Sequence, residues 1–120
     1  MNVEALRDYC LAKKGVTEGF PFGEDVLVFK VMGKMFALVN LRRLPLGVNL
    51  KCDPERAIEL RERYASVQPG YHMDKRTWNT VVLDGTIPDA EVRDMVDHSY
   101  ALVVAGLRKA DRDALAADAP

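Results

Sequence analysis

The residues Pro69-Gly70-Tyr71-His72-Met73-Asp74-Lys75-Arg76-Thr77-Trp78-Asn79 concentrate the side chains of this chain best suited to chemistry. They include its single Trp, one of its two His, and Tyr71, Lys75 and Arg76. Cations beside flat rings are what a surface needs to neutralise phosphates and to stack on a base. The same types also anchor a turn, because large aromatics drive burial and an imidazole ties down a loop by hydrogen bonds. Strand alternation leaves both directions open for Trp78. If Val81 and Leu83 face the core, Trp78 points outward with Thr80; if Val82 faces the core, Trp78 does too.

No catalytic constellation accompanies this segment. The chain has no Gly-rich phosphate loop, no nucleophile elbow and no two-His metal spacing. The proximity of His72 and Asp74 in sequence is not evidence of a dyad. A hard metal ion needs several oxygen ligands together, and the first helix offers only Glu4 and Asp8 among Arg7, Lys13 and Lys14. No enzyme activity, cofactor or metal is therefore expected. Cys10 and Cys52 lack any paired spacing and read as buried free thiols.

The 120 residues suffice for one domain with one core, and 48% hydrophobic with 29% charged residues is a globular balance. No apolar run approaches the ~20 residues of a membrane span, and the first residues lack the pattern of a signal peptide, so the cytoplasm is the expected compartment. Net charge is −1, unevenly spread. Residues 26–80 carry ten Lys or Arg against five Asp or Glu, and the flanks carry seven against thirteen. Such asymmetry hints at an anionic partner.

The elements that must position the segment follow from periodicity. Val3, Leu6, Cys10 and Lys13 predict a helix over 3–14, capped by Asn2 and ended by Gly15. Phe20-Pro21-Phe22-Gly23 reads as a turn with two aromatic anchors. Residues 26–32 and 35–41 read as a hairpin turning at Gly33-Lys34. That register puts Val31, Phe36, Phe29 and Leu38 on the core face, and Lys30, Ala37, Val28 and Val39 on the other. Residues 47–51 predict a third strand with Val48 and Leu50 inward and Asn49 and Lys51 outward. Asp53-Pro54 starts a second helix running to about Tyr64. A short extended piece is expected near Tyr71–Met73, and a strand over 78–83. A last helix begins near Pro88 or Asp89, with Val92, Met95, Val96, Ser99, Val103 and Leu107 on one face. Residues 1–108 thus form one domain, and 109–120 read as a fraying tail. Short links imply an antiparallel sheet with helices on one face, a two-layer α+β fold.

Phe20-Pro21-Phe22-Gly23, Gly33-Lys34-Met35-Phe36, Lys51-Cys52-Asp53-Pro54, the Pro69–Lys75 run, Trp78-Asn79-Thr80 and Ser99-Tyr100 together resemble the MmcQ/YjbR-like family over about residues 3–108. The resemblance implies the order α-β-β-β-α-β-β-α, similar to the type III secretion chaperone and frataxin-like folds. It also implies a double-wing DNA-binding role, with no established catalysis.

On this reading the candidate nucleic-acid-binding residues are Lys34, Lys51, Tyr71, His72, Lys75, Arg76 and Trp78. Lysines and arginines would meet phosphates and the hairpin tip would act as a wing. The alternative is a protein- or peptide-binding module using the helix-free sheet face with Val28, Val39, Met32 and Met35. A third reading is a small-molecule pocket around His72.

Overall fold

A computed structural model describes residues 1–117 of the chain. α1 (Val3–Leu11) is capped by Asn2, whose Oδ1 accepts from the Ala5 N–H at 2.8 Å. It ends before the expected residue 14, and β1 (Val16–Gly19) follows Gly15. The remaining elements are β2 (Val26–Val31), β3 (Lys34–Asn40), β4 (Gly47–Lys51), α2 (Pro54–Arg63), β5 (Val67–Pro69), β6 (Trp78–Val82), α3 (Asp89–Ala105) and α4 (Lys109–Ala117). All strands pair antiparallel in the order β1-β2-β3-β4-β6-β5. This is the expected α+β fold, in the expected order, with β1 inserted ahead of the hairpin and α4 appended.

Three local readings need correction. The extended piece lies at Val67–Pro69, not at Tyr71–Met73, which form a turn. Residues 109–117, read as part of a fraying tail, form a helix whose Leu115 joins the core; the tail's last three residues lie outside the described ones. Gly15 makes that docking possible, since it sits at φ +71° and a Cβ there would lie 2.5 Å from Leu115 Cδ1.

The third correction concerns the hairpin. Its two-residue turn is Met32-Gly33, flanked by the pair Val31–Lys34, and both turn residues have positive φ, 49° and 83°. That conformation matches the twist of the flanking strands, and it moves the turn one residue earlier than glycine position alone suggests. Lys30 pairs with Met35 and Phe29 with Ala37, so Phe36 is an extra, bulged residue. Phe36 and Ala37 are consequently both buried in the core. Beyond the bulge the parity inverts. Val39 enters the core, whereas Leu38, expected inside, leaves it for the helix-free face. Met32 also packs against the core, so of the four apolar residues assigned to the open face only Val28 and Met35 are found there. Val48 and Leu50 point inward as expected.

The core lies between the sheet and the helices, and α3 seals it with polar contacts. The β3–β4 ladder stops at the pair Ala37–Leu50. Just beyond it, the Ser99 hydroxyl donates to the Phe36 carbonyl at 2.6 Å and accepts from the Lys51 N–H at 2.9 Å. Ser99 is 0% exposed, so water does not replace either bond. One residue earlier, His98 Nε2 accepts from the Asp53 N–H at 3.1 Å. Asp53 is the N-cap of α2, its Oδ2 accepting from the Arg56 N–H. Burial, reinforced by Arg56 and opposed by Asp53, holds the His98 pKa below its ordinary value. Cys10 and Cys52 are free and buried, and burial pushes the Cys10 thiol up to about 12.

Both polar contacts of α3 can be tested. Ser99→Ala orphans a buried carbonyl and a buried N–H and should cost about 1–3 kcal/mol, read as a lower urea midpoint; an unchanged midpoint would remove Ser99 from this role. For His98, the unfolded chain binds the proton more readily than the fold does. Its contribution is complete above the unfolded value of about 6.5 and fades as pH falls below it. Between about pH 7.5 and about pH 5 the wild type should therefore lose more stability than His98→Gln; identical losses would contradict the assignment.

Candidate functional site

The loop joining β5 to β6, residues 70–77, lies over the helix-free face of the sheet. Gly70 starts it, its N–H donating to the Trp78 carbonyl at 2.9 Å. A Cβ at Gly70 would lie 2.8 Å from Trp78 Cβ and 2.9 Å from the Trp78 oxygen, so only glycine fits this crossing. The Tyr71 N–H then donates to Thr80 Oγ1 at 2.9 Å, the Thr80 hydroxyl donates to Asn49 Oδ1 at 2.5 Å, and Asn49 Nδ2 donates to the Tyr71 carbonyl at 3.1 Å. These three bonds close a ring through β4, β6 and the loop. Thr80 and Asn49 also face each other in the β4–β6 register, which places both side chains on the outer face.

The far end of the loop is braced from the helical side. Arg61 of α2 donates to the Lys75 carbonyl at 2.9 Å and to Asn79 Oδ1 at 3.2 Å, while Lys75 Nζ donates back to the Gly70 carbonyl at 3.0 Å. Asp74 Oδ1 accepts from the Arg76 N–H.

The loop carries an aromatic stack. The Arg43 guanidinium, from the β3–β4 link, lies 3.6 Å from the Tyr71 ring centroid. The His72 ring is 4.1 Å away on a 54° tilt, and His72 itself sits at φ +58°. Tyr71 borders two cavities that share the floor residues Leu38, Asn40 and Asn49. The larger, of about 300 Å³, is walled by Phe22, Val26, Met35, His72 and Met73. The smaller, of about 140 Å³, runs past Arg43, Leu44, Gln68 and Thr80. Among the described residues no carboxylate lines either one. The rim is apolar for a surface: Leu44 is 78% exposed, Phe22 61% and Tyr71 40%.

The structure brings some of the sequence-designated residues together and separates others. Tyr71 and His72 stand at the larger cavity. Trp78 lies on the helix-free face, because Val81 is in the core, and it is half-buried next to Lys51, its register partner. Lys75 is exposed but its ammonium braces its own loop. Lys34 at the hairpin and Arg76 in the loop are exposed. Arg43, Asn40, Asn49 and Thr80 join the site without having been designated by residue type. Arg42-Arg43 is visible in the sequence as a pair of cations in a link between strands, and Asn49 and Thr80 as polar residues on outward strand positions.

Charge divides by layer. Residues 26–51 carry Lys30, Lys34, Arg42, Arg43 and Lys51 and no Asp or Glu. The four helices carry eleven acidic and seven basic side chains. Of the five cations, only Arg42 forms an ion pair among the described residues, with Asp25 at 3.0 Å.

A six-stranded antiparallel sheet, backed by helices on one side and roofed on the other by a short aromatic loop, defines a small α+β domain with one open, concave face. The chain belongs to the YjbR family, whose model matches residues 11–102. It is 43% identical over 94 residues to the uncharacterised Escherichia coli protein YbdF, covering 78% of this chain and 76% of that one. It is 36% identical over 104 residues to the uncharacterised Escherichia coli protein YjbR, covering 87% and 88%. Among solved structures, the Deinococcus radiodurans protein DR2400, described as a DUF419 domain, superposes with a TM-score of 0.89 at 41% identity, covering 96% of this chain and 88% of that one. A Pseudomonas syringae protein superposes with a TM-score of 0.74 at 27% identity, covering 85% and 98%.

Thr80→Val keeps the shape of the side chain and breaks two bonds of the ring. It should destabilise the fold by about 1–3 kcal/mol and speed amide exchange at Tyr71; unchanged exchange there would show that the ring does not hold the loop.

Proposed function

We propose that this protein binds DNA in the cytoplasm, taking a single strand across the helix-free sheet face, and that it acts by binding rather than by catalysis. The observation that carries the reading is the acid-free stretch 26–51, which sets Arg43 over Tyr71 at the aromatic rim of Phe22, Tyr71 and His72 and puts Lys30 and Lys51 at outward strand positions of the same sheet. Cations that track a backbone, next to rings that take bases, are the ordinary means of gripping an unpaired strand. Lys34 at the hairpin and Arg76 in the loop extend the cationic surface at the end of the sheet where β4 finishes and β6 begins. A second reading has a specific observation behind it. The exposure of Leu44 and Phe22 also suits an apolar peptide, whose binding would be nearly indifferent to salt.

Titration of a labelled single strand at several salt concentrations separates the two. Contacts with four phosphates give a log–log slope of about −3, and Lys34→Ala with Arg76→Ala should flatten it by about 0.7 for each phosphate no longer neutralised. Absence of binding at low salt would end the DNA reading.

A further inference from the structure

Within that reading, which this inference rests on, the two cavities have different chemistry. We propose that the larger takes one unpaired base of the strand, and that Arg43 takes the phosphate beside it.

Four observations lead there. At about 300 Å³ the larger cavity lies at the small end of the range for small-molecule sites, suited to a single flat group. Its walls are apolar and aromatic, with Phe22, Met35, His72 and Met73 around a floor that includes two amides. Those amides retain hydrogen-bonding capacity. Asn40 uses its Oδ1 to accept from the Arg42 N–H, leaving its amide donors unpaired among the described residues. Asn49 spends one amide proton on Tyr71 and keeps the other. A ring with polar edges fits such a floor better than an aliphatic side chain, which would leave those donors without partners.

The fourth observation is the placement of Arg43. Its guanidinium lies over the Tyr71 ring and makes no ion pair among the described residues, so its N–H groups are available. A planar fork of donors matches two phosphate oxygens at once. Arg43 borders the smaller cavity and Tyr71 borders both, so base and phosphate would be held next to one fixed residue. The loop that carries Tyr71 is already tied to Asn49 and Thr80, which spares the ordering cost that a mobile platform would bring to binding.

The test uses three strands of about ten nucleotides: one complete, one fully abasic, and one abasic except for a single central base. The single base should raise affinity at least about fivefold over the fully abasic strand. Phe22→Ala, at an exposed position where folding is not at stake, should abolish that gain while leaving abasic binding intact. Arg43→Gln should weaken both strands. Equal affinity for the fully abasic and single-base strands would overturn the base cavity and leave the strand reading standing. Failure of all three strands to bind would overturn the reading beneath it. A free deoxynucleoside monophosphate should compete only at far higher concentration; competition at the strand's own concentration would make this a mononucleotide site and overturn the assignment to a strand.

Discussion

The bulge at Phe36 gives β3 one residue more than β2 can pair, and the fold depends on how that surplus is absorbed. The bulge turns Phe36 and Ala37 into the core together, which brings a large aromatic ring under α3. Its ring packs edge-on against Tyr100, with centroids 5.5 Å apart. The same step ends the β3–β4 ladder early and leaves a carbonyl and an N–H facing each other without a direct bond. Ser99 supplies the missing link. A buried hydroxyl is both donor and acceptor, so one small side chain satisfies both groups and pins α3 to the sheet centre. An apolar residue there would leave both groups without a partner.

The open face follows from the same event. Because parity inverts at the bulge, Leu38 and Asn40 face outward and become the floor of the two cavities. Had alternation run unbroken through Phe36, Ala37 and Val39 would occupy that floor, and Asn40 would point toward the helices. A packing device on one side of the sheet thus sets the chemistry of the other. The loop over this floor is joined to the helical layer as well, since Arg61 reaches from α2 to the Lys75 carbonyl. The loop is therefore held at both ends, by the Asn49–Thr80 ring near Tyr71 and by α2 near Lys75.

Where local chemistry decides, the sequence is informative. Asp53-Pro54 starts α2 as capping rules require, and the alternation of Gly47–Lys51 assigns Val48 and Leu50 correctly. The face of α3 is legible through Ser99, Val103 and their neighbours. The hairpin is not, because a bulge is a tertiary solution to packing that strict alternation cannot express, and because Met32 adopts a left-handed conformation that its side chain does not advertise. β1 escapes notice since only Val16 among its residues is apolar. At the candidate site, Tyr71 and His72 stand out by type, whereas Arg43 depends on the loop lying over the sheet, a long-range contact without local signal.

The division of charge between the layers has a consequence for motion rather than for contact. A molecule of net charge −1 is nearly indifferent, as a point charge, to a distant polyanion. This one gathers cations on residues 26–51 and an excess of acids on its helices, so its charge is separated between the two layers. In the field of an anionic polymer such a body experiences torque before it experiences attraction.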